Sequence, residues 1–178
     1  MIVRREIKSV NDADFEFCWD LYVSAFPEEE RRTMDYHLET MTKASFCFDM
    51  VMVNGIRVGI LAWWDLSEFR YIEHFATAPA LRGQGYGDKI LRDFISESEK
   101  PLILEVEHPV SEIEKRRIGF YERIGLSLNQ HYYAHPSYNI NSDAEVSLMI
   151  MTYPNLISEE QLCQFVKDEF PVIHFGRF

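Results

Sequence analysis

Residues 69–97, FRYIEHFATAPALRGQGYGDKILRDFISE, contain the most specific pattern in the chain. The stretch begins with an apolar-rich run, Tyr71–Ala76, whose aromatic and β-branched residues predict a β-strand that ends before Pro79. After the glycines, apolar residues between Ile90 and Ile95 recur at the spacing of one helical face. The sequence therefore predicts a strand, a glycine-rich loop and a helix in this order.

The loop itself, Arg82–Gly87, carries glycine at every second position directly before the predicted helix. Without Cβ atoms, its backbone N–H groups can close on an anion, and the positive end of the helix dipole favours negative charge there. The spacing differs from a P-loop and from the G-x-G-x-x-G pattern of dinucleotide-binding folds. We interpret the loop as a pyrophosphate site; a glycine-rich connection without a ligand is the alternative.

These residues carry a resemblance. Arg82–Gly87 is similar to the R/Q-x-x-G-x-G/A signature of the GNAT superfamily of N-acetyltransferases. Leu104–Glu107, followed by Arg117–Leu126, resembles the fifth strand of that family and its F-Y-x-x-x-G-F helix. The resemblance covers roughly residues 1–153 and implies an α/β fold of α+β type, with a mixed sheet. The sheet would be central, mostly antiparallel and twisted, with a parallel βαβ pair at the acyl-CoA site and helices on both faces.

Length and cysteine content limit the class of protein. At 178 residues the chain is near the size of one domain, so we expect a single N-acetyltransferase domain over 1–178, with 154–178 as a C-terminal helical extension. Three cysteines at wide spacings indicate neither a disulfide framework nor a zinc site. The N-terminus lacks the apolar core of a signal peptide and no apolar run approaches a membrane span, so a cytoplasmic protein without membrane contact is expected.

The formal net charge of −11 indicates which classes of binding partner are favoured. Such a surface repels phosphate backbones and steers cations by long-range attraction, so nucleic-acid binding is disfavoured and a cationic amine is favoured as substrate. A net charge of this size is also an ordinary solubility feature.

Local signals place the other elements. The predicted strands are Ile2–Ile7, Phe46–Val53, Ile56–Trp64, Leu102–Val106, Leu128–Ala134 and Glu145–Tyr153. The predicted helices run from caps at Asn11 or Asp12 to Phe26, over Met34–Met41, from the capping box Ser111-x-x-Glu114 to Gly125, and from Ser158-x-x-Gln161 to about Glu169. Asn54-Gly55 predicts a tight hairpin between the second and third strands.

Two segments have open roles. In the resembling family the loop that contains Glu28–Glu30 borders the acyl-acceptor site, although three acids could equally form a helical first turn that suits the dipole. The apolar tail Phe170–Phe175 could pack on the body of the protein or on a second subunit, which leaves a homodimer as one alternative.

Amide formation from a thioester needs a neutral amine, so a base must remove a proton from the substrate. The candidates are Glu73 on the strand before the loop and Glu105 on the next strand, where Leu104-Glu105-Val106 resembles family members with a glutamate as proposed base. Glu107 shares the face of Glu105. The alternative is that these acids form structural ion pairs with Arg116, Arg117 or His74.

The resemblance also implies the remaining assignments. Tyr121 matches the helix tyrosine proposed to protonate the leaving thiolate, with a core tyrosine as the alternative. Acetyl-CoA would be the acyl-donor cosubstrate, with its pantetheine along the main chain of Phe75, Ala76 and Thr77 and its pyrophosphate on Arg82, Gly83, Gln84, Gly85, Tyr86 and Gly87. No metal is expected, because His131 and His135 are four residues apart on a predicted strand, roughly 13 Å.

The sequence thus predicts an acetyl-CoA-dependent N-acetyltransferase that moves an acetyl group to a primary amine, on a small molecule or a protein, by direct attack in a ternary complex. One alternative is a CoA-binding regulatory or interaction module on the same fold without turnover. Another is an interaction protein whose glycine loop is incidental.

Overall fold

The structure, a computed structural model, describes residues 1–131, 133–136, 138 and 145–174. The chain divides into two compact units. The first comprises Met1–Asp65 and Tyr71–Glu99, and the second comprises Leu66–Arg70 and Lys100–Phe178. Each unit is described by itself below.

Nine elements fall in the first unit, apart from Arg70 at the start of β4. They are β1 (Ile2–Glu6), α1 (Phe15–Ala25), a 3₁₀ turn (Glu28–Glu30), α2 (Met34–Thr40), β2 (Phe46–Val53), β3 (Ile56–Asp65), β4 (Arg70–Thr77), a second 3₁₀ turn (Pro79–Leu81) and α3 (Tyr86–Ser96). The strands are ordered β1-β2-β3-β4. β2 pairs antiparallel with β1 and with β3.

The hairpin between β2 and β3 forms where Asn54-Gly55 predicts it. Asn54 has φ 52° and Gly55 has φ 80°, so both central residues are left-handed, as a type I′ turn requires. The predicted bounds of both strands agree with the structure to within one residue.

Close contact between β3 and β4 depends on Gly59. A Cβ atom at this position would lie far inside van der Waals contact with the carbonyl oxygen of Ala76, and 3.2 Å from Cα of Thr77. Only glycine therefore lets the two strands approach this closely.

The second unit contains β5 (Leu102–Val106), α4 (Glu112–Ile124), β6 (Ser127–Leu128), β7 (Tyr133–Pro136), β8 (Glu145–Tyr153) and α5 (Glu159–Ile173). β8 is the central strand, since β5, β6 and β7 all pair with it antiparallel. Both predicted capping boxes are present, with Ser111 and Glu114 at α4 and Ser158 and Gln161 at α5. The predicted mixed α/β class with mostly antiparallel strands is confirmed.

The structure corrects the predicted strand Leu128–Ala134. The chain forms two short strands instead, since β6 ends at Leu128 and β7 begins at Tyr133. Buried Asn129 follows β6, and its side chain is fixed by two bonds, since its amide donates to Oγ1 of Thr152 at 2.9 Å and its oxygen accepts from the Ile157 N–H at 3.1 Å. The predicted loop from Pro136 to Ala144 lies mostly outside the described residues.

Two predictions about where helices begin also need correction. Asp14, not Asn11 or Asp12, is the N-cap of α1, and the Asp12 carboxylate binds Arg5 instead. Glu28–Glu30 forms its own 3₁₀ turn, and Thr33 caps α2 separately.

The last helix, α5, continues through Pro171 to Ile173, beyond the predicted end at about Glu169. Phe170, Ile173 and His174 are buried, so packing outweighs the hydrogen bond that the proline cannot make. Of the predicted apolar tail, Phe175 lies outside the described residues. Within the described part of the chain, no helix is long and apolar enough to cross a membrane.

Candidate functional site

The glycine loop joins the second 3₁₀ turn to α3. Gly83 and Gly85 have φ values of 76° and 77°, in the left-handed region that favours glycine. A Cβ atom at either position would meet no other atom within 4 Å, so the space beside the loop is open. The loop is thus shaped by backbone conformation and leaves room for a group to approach it.

The start of α3 can receive an anion. Gly85 is the N-cap and provides no side-chain hydrogen bond, while the first N–H groups of any helix lack intrahelical partners and carry its positive dipole end. Arg82 Nε donates to the Thr77 carbonyl at 3.2 Å, and Gln84 Nε2 donates to the Ala80 carbonyl at 3.2 Å. These two side chains brace the loop. The open space beside it and the positive end of α3 suit a diphosphate, and the binding of acetyl-CoA here stays a prediction.

The predicted pantetheine residues form the end of β4. Ala76 is buried, while Phe75 and Thr77 are half-buried. The strand is held against β3 here, because the Ala78 N–H donates to the Val58 carbonyl at 2.7 Å. The binding of a pantetheine arm by this main chain stays a prediction.

Glu73 lies in the interior of the first unit and forms an ion pair that the sequence did not indicate. Its Oε2 is 2.5 Å from Nη1 of Arg32, and both side chains are 0% exposed. Trp64 Nε1 donates to the same oxygen at 3.4 Å, and His74 Nδ1 lies 3.9 Å away. The expected structural partner, His74, is therefore secondary to Arg32.

Arg32 is enclosed by aromatic rings. Its guanidinium lies 5.2 Å from the ring centre of Tyr36, 5.8 Å from that of Phe46 and 5.9 Å from that of Trp64. Such contacts stabilise a cation that has left water. The Arg32 N–H also donates to the hydroxyl of Tyr22 at 2.9 Å, which fixes the chain directly after the acidic 3₁₀ turn.

The last residue of the acidic turn is held by a histidine. His74 Nε2 lies 2.8 Å from the carbonyl oxygen of Glu30. The side chains of this turn are acidic and none of its three residues is buried. A negative surface is thus held in place from beneath by β4 and α1.

His37 packs beside this cluster without polar contacts. It is 0% exposed, and neither ring nitrogen has a hydrogen-bond partner among the described residues. Rings of Tyr22, Phe48 and Trp19 surround it at 4.5–5.3 Å between centres. Burial, reinforced by the charge of Arg32, lowers the pKa of His37 to about 3, so the ring is neutral at physiological pH.

In the second unit, Tyr121 lies on the buried side of α4. Burial raises the pKa of Tyr121 to about 12, although the nearby charge of Arg117 opposes this rise. Arg117 itself forms an ion pair with Glu107, as the structural alternative for that acid predicted. The phenol therefore stays protonated across the physiological range.

Glu105 has a different neighbour. Its Oε2 is 3.5 Å from Nε2 of His135, with side-chain exposures of 10% and 2%. His135 was considered in the sequence only as a metal ligand. Among the described residues no group of side chains could hold a metal ion.

Two of the three cysteines are shielded from solvent. Cys18 is fully buried and Cys47 is half-buried, and burial raises the pKa of each thiol to about 12. A thiol with so high a pKa is a poor nucleophile at neutral pH.

Sequence reasoning missed two functional candidates, Arg32 and His135. Arg32 follows an acidic run and stands among polar residues, which gives no local sign that its side chain is 0% exposed. His135 is separated from Glu105 by 30 residues, so only the strand pairing could bring them together.

A sequence model of the Acetyltransferase (GNAT) family matches residues 15–126, a span that includes the glycine loop and both segments of the resemblance. The chain belongs to the GNAT acetyltransferase family. A GNAT-family protein from Bacteroides thetaiotaomicron is 32% identical, with 98% of each chain covered and a TM-score of 0.88. The predicted family and fold are thus confirmed.

More distant GNAT structures show the same fold. The alanine N-acetyltransferase of ribosomal protein S18 from Escherichia coli has 17% identity and a TM-score of 0.57, over 89% of this chain and 97% of its own. A GNAT acetyltransferase from Elizabethkingia anophelis, solved with acetyl-CoA bound, has 14% identity and a TM-score of 0.57, over 85% and 96%. Among curated proteins, no sequence matches this chain.

Proposed function

We propose that this GNAT protein is an acetyl-CoA-dependent N-acetyltransferase, which transfers the acetyl group to a primary amine by direct attack in a ternary complex. The observation that carries the proposal is the open N-terminus of α3 behind Gly83 and Gly85. Its N–H groups and dipole suit the diphosphate of the cosubstrate. A family neighbour binds acetyl-CoA and another is an alanine N-acetyltransferase, which supports both halves of the proposal.

The base is proposed to be Glu105 rather than Glu73. If Glu73 accepted a proton, it would give up its charge pairing with Arg32 in a site that solvent does not reach, at a cost of several kcal/mol. Glu107 is also paired with an arginine. Glu105 is partly accessible, and its neighbour is a histidine, which carries no permanent charge.

The reaction needs three proton movements. Glu105 takes a proton from the substrate ammonium, and the neutral nitrogen attacks the thioester carbonyl. As the C–S bond breaks, the leaving thiolate takes the hydroxyl proton of Tyr121, which burial keeps protonated until then. The nitrogen gives up its second proton to the phenolate as the amide forms, which restores Tyr121. Exclusion of water also raises the basicity of a thiolate formed beside it, so the transfer is not opposed by the full difference in pKa.

The acceptor is proposed to be cationic. The formal net charge is −11, and the Glu28–Glu30 turn presents acidic side chains on a fixed backbone. A protonated amine would be attracted to this surface before it loses its proton. Small polyamines, aminoglycosides, amino acids and protein amines all meet this description.

The experiment is a release assay for free thiol, with acetyl-CoA and a panel of cationic, neutral and anionic amines. We expect release only with amines, fastest with cationic ones. Binding of acetyl-CoA, read as a thermal shift, without release from any amine would instead indicate a binding module on the same fold. If acetyl-CoA causes no thermal shift, both the enzyme and the binding-module interpretations are wrong.

A further inference from the structure

We propose that His135 is a positioning residue that acts through Glu105, and that α5 holds His135 in place. The C-terminal helix would then belong to the reaction machinery of this chain. The inference rests on the proposed function, in which Glu105 removes the proton from the amine.

The pair is close and shielded. Nε2 of His135 lies 3.5 Å from Oε2 of Glu105, and the exposures of the two side chains are 2% and 10%. A carboxylate can rotate about its side-chain bonds unless a neighbour restrains it. An imidazole this close to one oxygen would restrain the rotation of the carboxylate.

The register of β8 brings these residues together. β8 pairs with β5 through its C-terminal half, where Glu105 is opposite Ile150, and with β7 through its N-terminal half, where His135 is opposite Val146. One continuous strand therefore sets the spacing between the acid and the imidazole. A shift of one residue in the pairing of β8 with β5 or β7 would turn Glu105 or His135 to the opposite face of the sheet.

The C-terminal end of α5 and Tyr138 pack on the imidazole. The ring centres of His174, the C-cap of α5, and Phe170 lie 4.6 Å and 5.8 Å from that of His135, and the ring of Tyr138 lies at 5.0 Å. The titratable groups in contact with His135 among the described residues include Glu105 from β5, His174 and Tyr138. With three rings around it, the imidazole has little freedom to swing away from the acid.

This pair extends beyond the part of the chain that matches the family. The match covers residues 15–126, which include Glu105 and leave out His135 and α5. The generic fold therefore provides the acid, and the following segment provides its support. This gives the C-terminal helix a role that its sequence does not reveal.

A double-mutant cycle in kcat tests the inference. We expect His135→Leu to lower kcat by about 10- to 100-fold with little change in KM for acetyl-CoA, as the loss of a positioning group does. His135→Gln, which keeps an N–H donor, should recover most of the rate. In a Glu105→Gln background His135→Leu should cost no more than about twofold, because the residue through which it acts is gone.

The control is Leu162→Ala, which removes a buried side chain from α5 that is not among the rings packed on His135. It should lower the melting temperature and leave kcat within about twofold. Equal, independent losses for His135→Leu in both backgrounds, or a loss no larger than that of Leu162→Ala, would overturn the inference and leave the proposed function intact. A wild-type protein that releases no thiol with any amine would remove both.

Discussion

Arg32 Nη1 lies 2.5 Å from Glu73 Oε2, and solvent reaches neither side chain. The pair joins the segment after α1 to strand β4 across 41 residues of sequence. From the sequence, Glu73 is either a base or a member of a structural ion pair. The pair with Arg32 supports the structural role, and Glu105 is the proposed base.

Removal of one member of this pair should destabilise the protein strongly. Arg32→Met leaves a buried carboxylate without its counter-charge, and such losses typically cost about 3–5 kcal/mol in the free energy of unfolding. The double variant Arg32→Met with Glu73→Leu should recover much of that loss, because no unpaired charge remains. Urea unfolding measures both; equal stability of the single and double variants would contradict the ion-pair interpretation.

The base should be identified by the pH dependence of kcat/KM. Glu105→Gln should erase the acidic limb of the profile and be partly offset at high pH, where more of the amine is already neutral. Glu73→Gln should keep the acidic limb, and any loss of activity in this variant should result from its lower folding stability. The reverse pattern would return the base role to Glu73, and two unchanged profiles would point to Glu107 or to water.

The phosphate loop is tested by a matched pair at Gly85. Asn and Asp have the same shape and both tolerate the left-handed conformation, with φ 77° here, better than most residues. Gly85→Asp should weaken acetyl-CoA binding by at least about tenfold relative to Gly85→Asn, because only Asp places a negative charge beside the diphosphate. Calorimetry measures the difference; equal affinities of the two variants would remove the loop assignment.

Tyr121→Phe should lower kcat by roughly 10- to 1,000-fold with little effect on acetyl-CoA affinity, because it removes the proton donor and keeps the ring. The same substitution should also change how the free energy of unfolding depends on pH in alkaline solution. The folded pKa of about 12 exceeds the value near 10 of an unfolded tyrosine, so the unfolded chain loses its proton first and stability falls as pH rises above about 10. The variant should show a shallower fall between about pH 10 and 12, measured by urea unfolding.

His37 should contribute to acid unfolding. The folded chain protonates this ring only near pH 3, whereas an unfolded histidine does so near 6.5. Acidification through this window therefore favours the unfolded chain, by up to about 1.4 kcal/mol per pH unit. His37→Phe should flatten the loss of stability between pH 6.5 and 3, while His108→Gln, at an exposed histidine, should not. Equal slopes in both variants would contradict the role of His37.

Local signals predicted much of the fold. The Asn54-Gly55 turn, the capping boxes at Ser111 and Ser158, and the apolar face of α3 depend on neighbouring residues alone, and all appear where expected. The break after Leu128 and the extension of α5 past Pro171 depend on Asn129 and on buried side chains that meet only after folding. For the same reason the partners of Glu73 and Glu105 could not be predicted.

Gly59 has a consequence for saturation mutagenesis. Every replacement adds a Cβ atom that collides with the Ala76 carbonyl, in the strand proposed to bind the pantetheine arm. The collision involves backbone, so no rotamer change relieves it. A selection for activity should therefore reject all nineteen alternatives at position 59, and a tolerance map would show this residue, which has no side chain, as if it were a catalytic group.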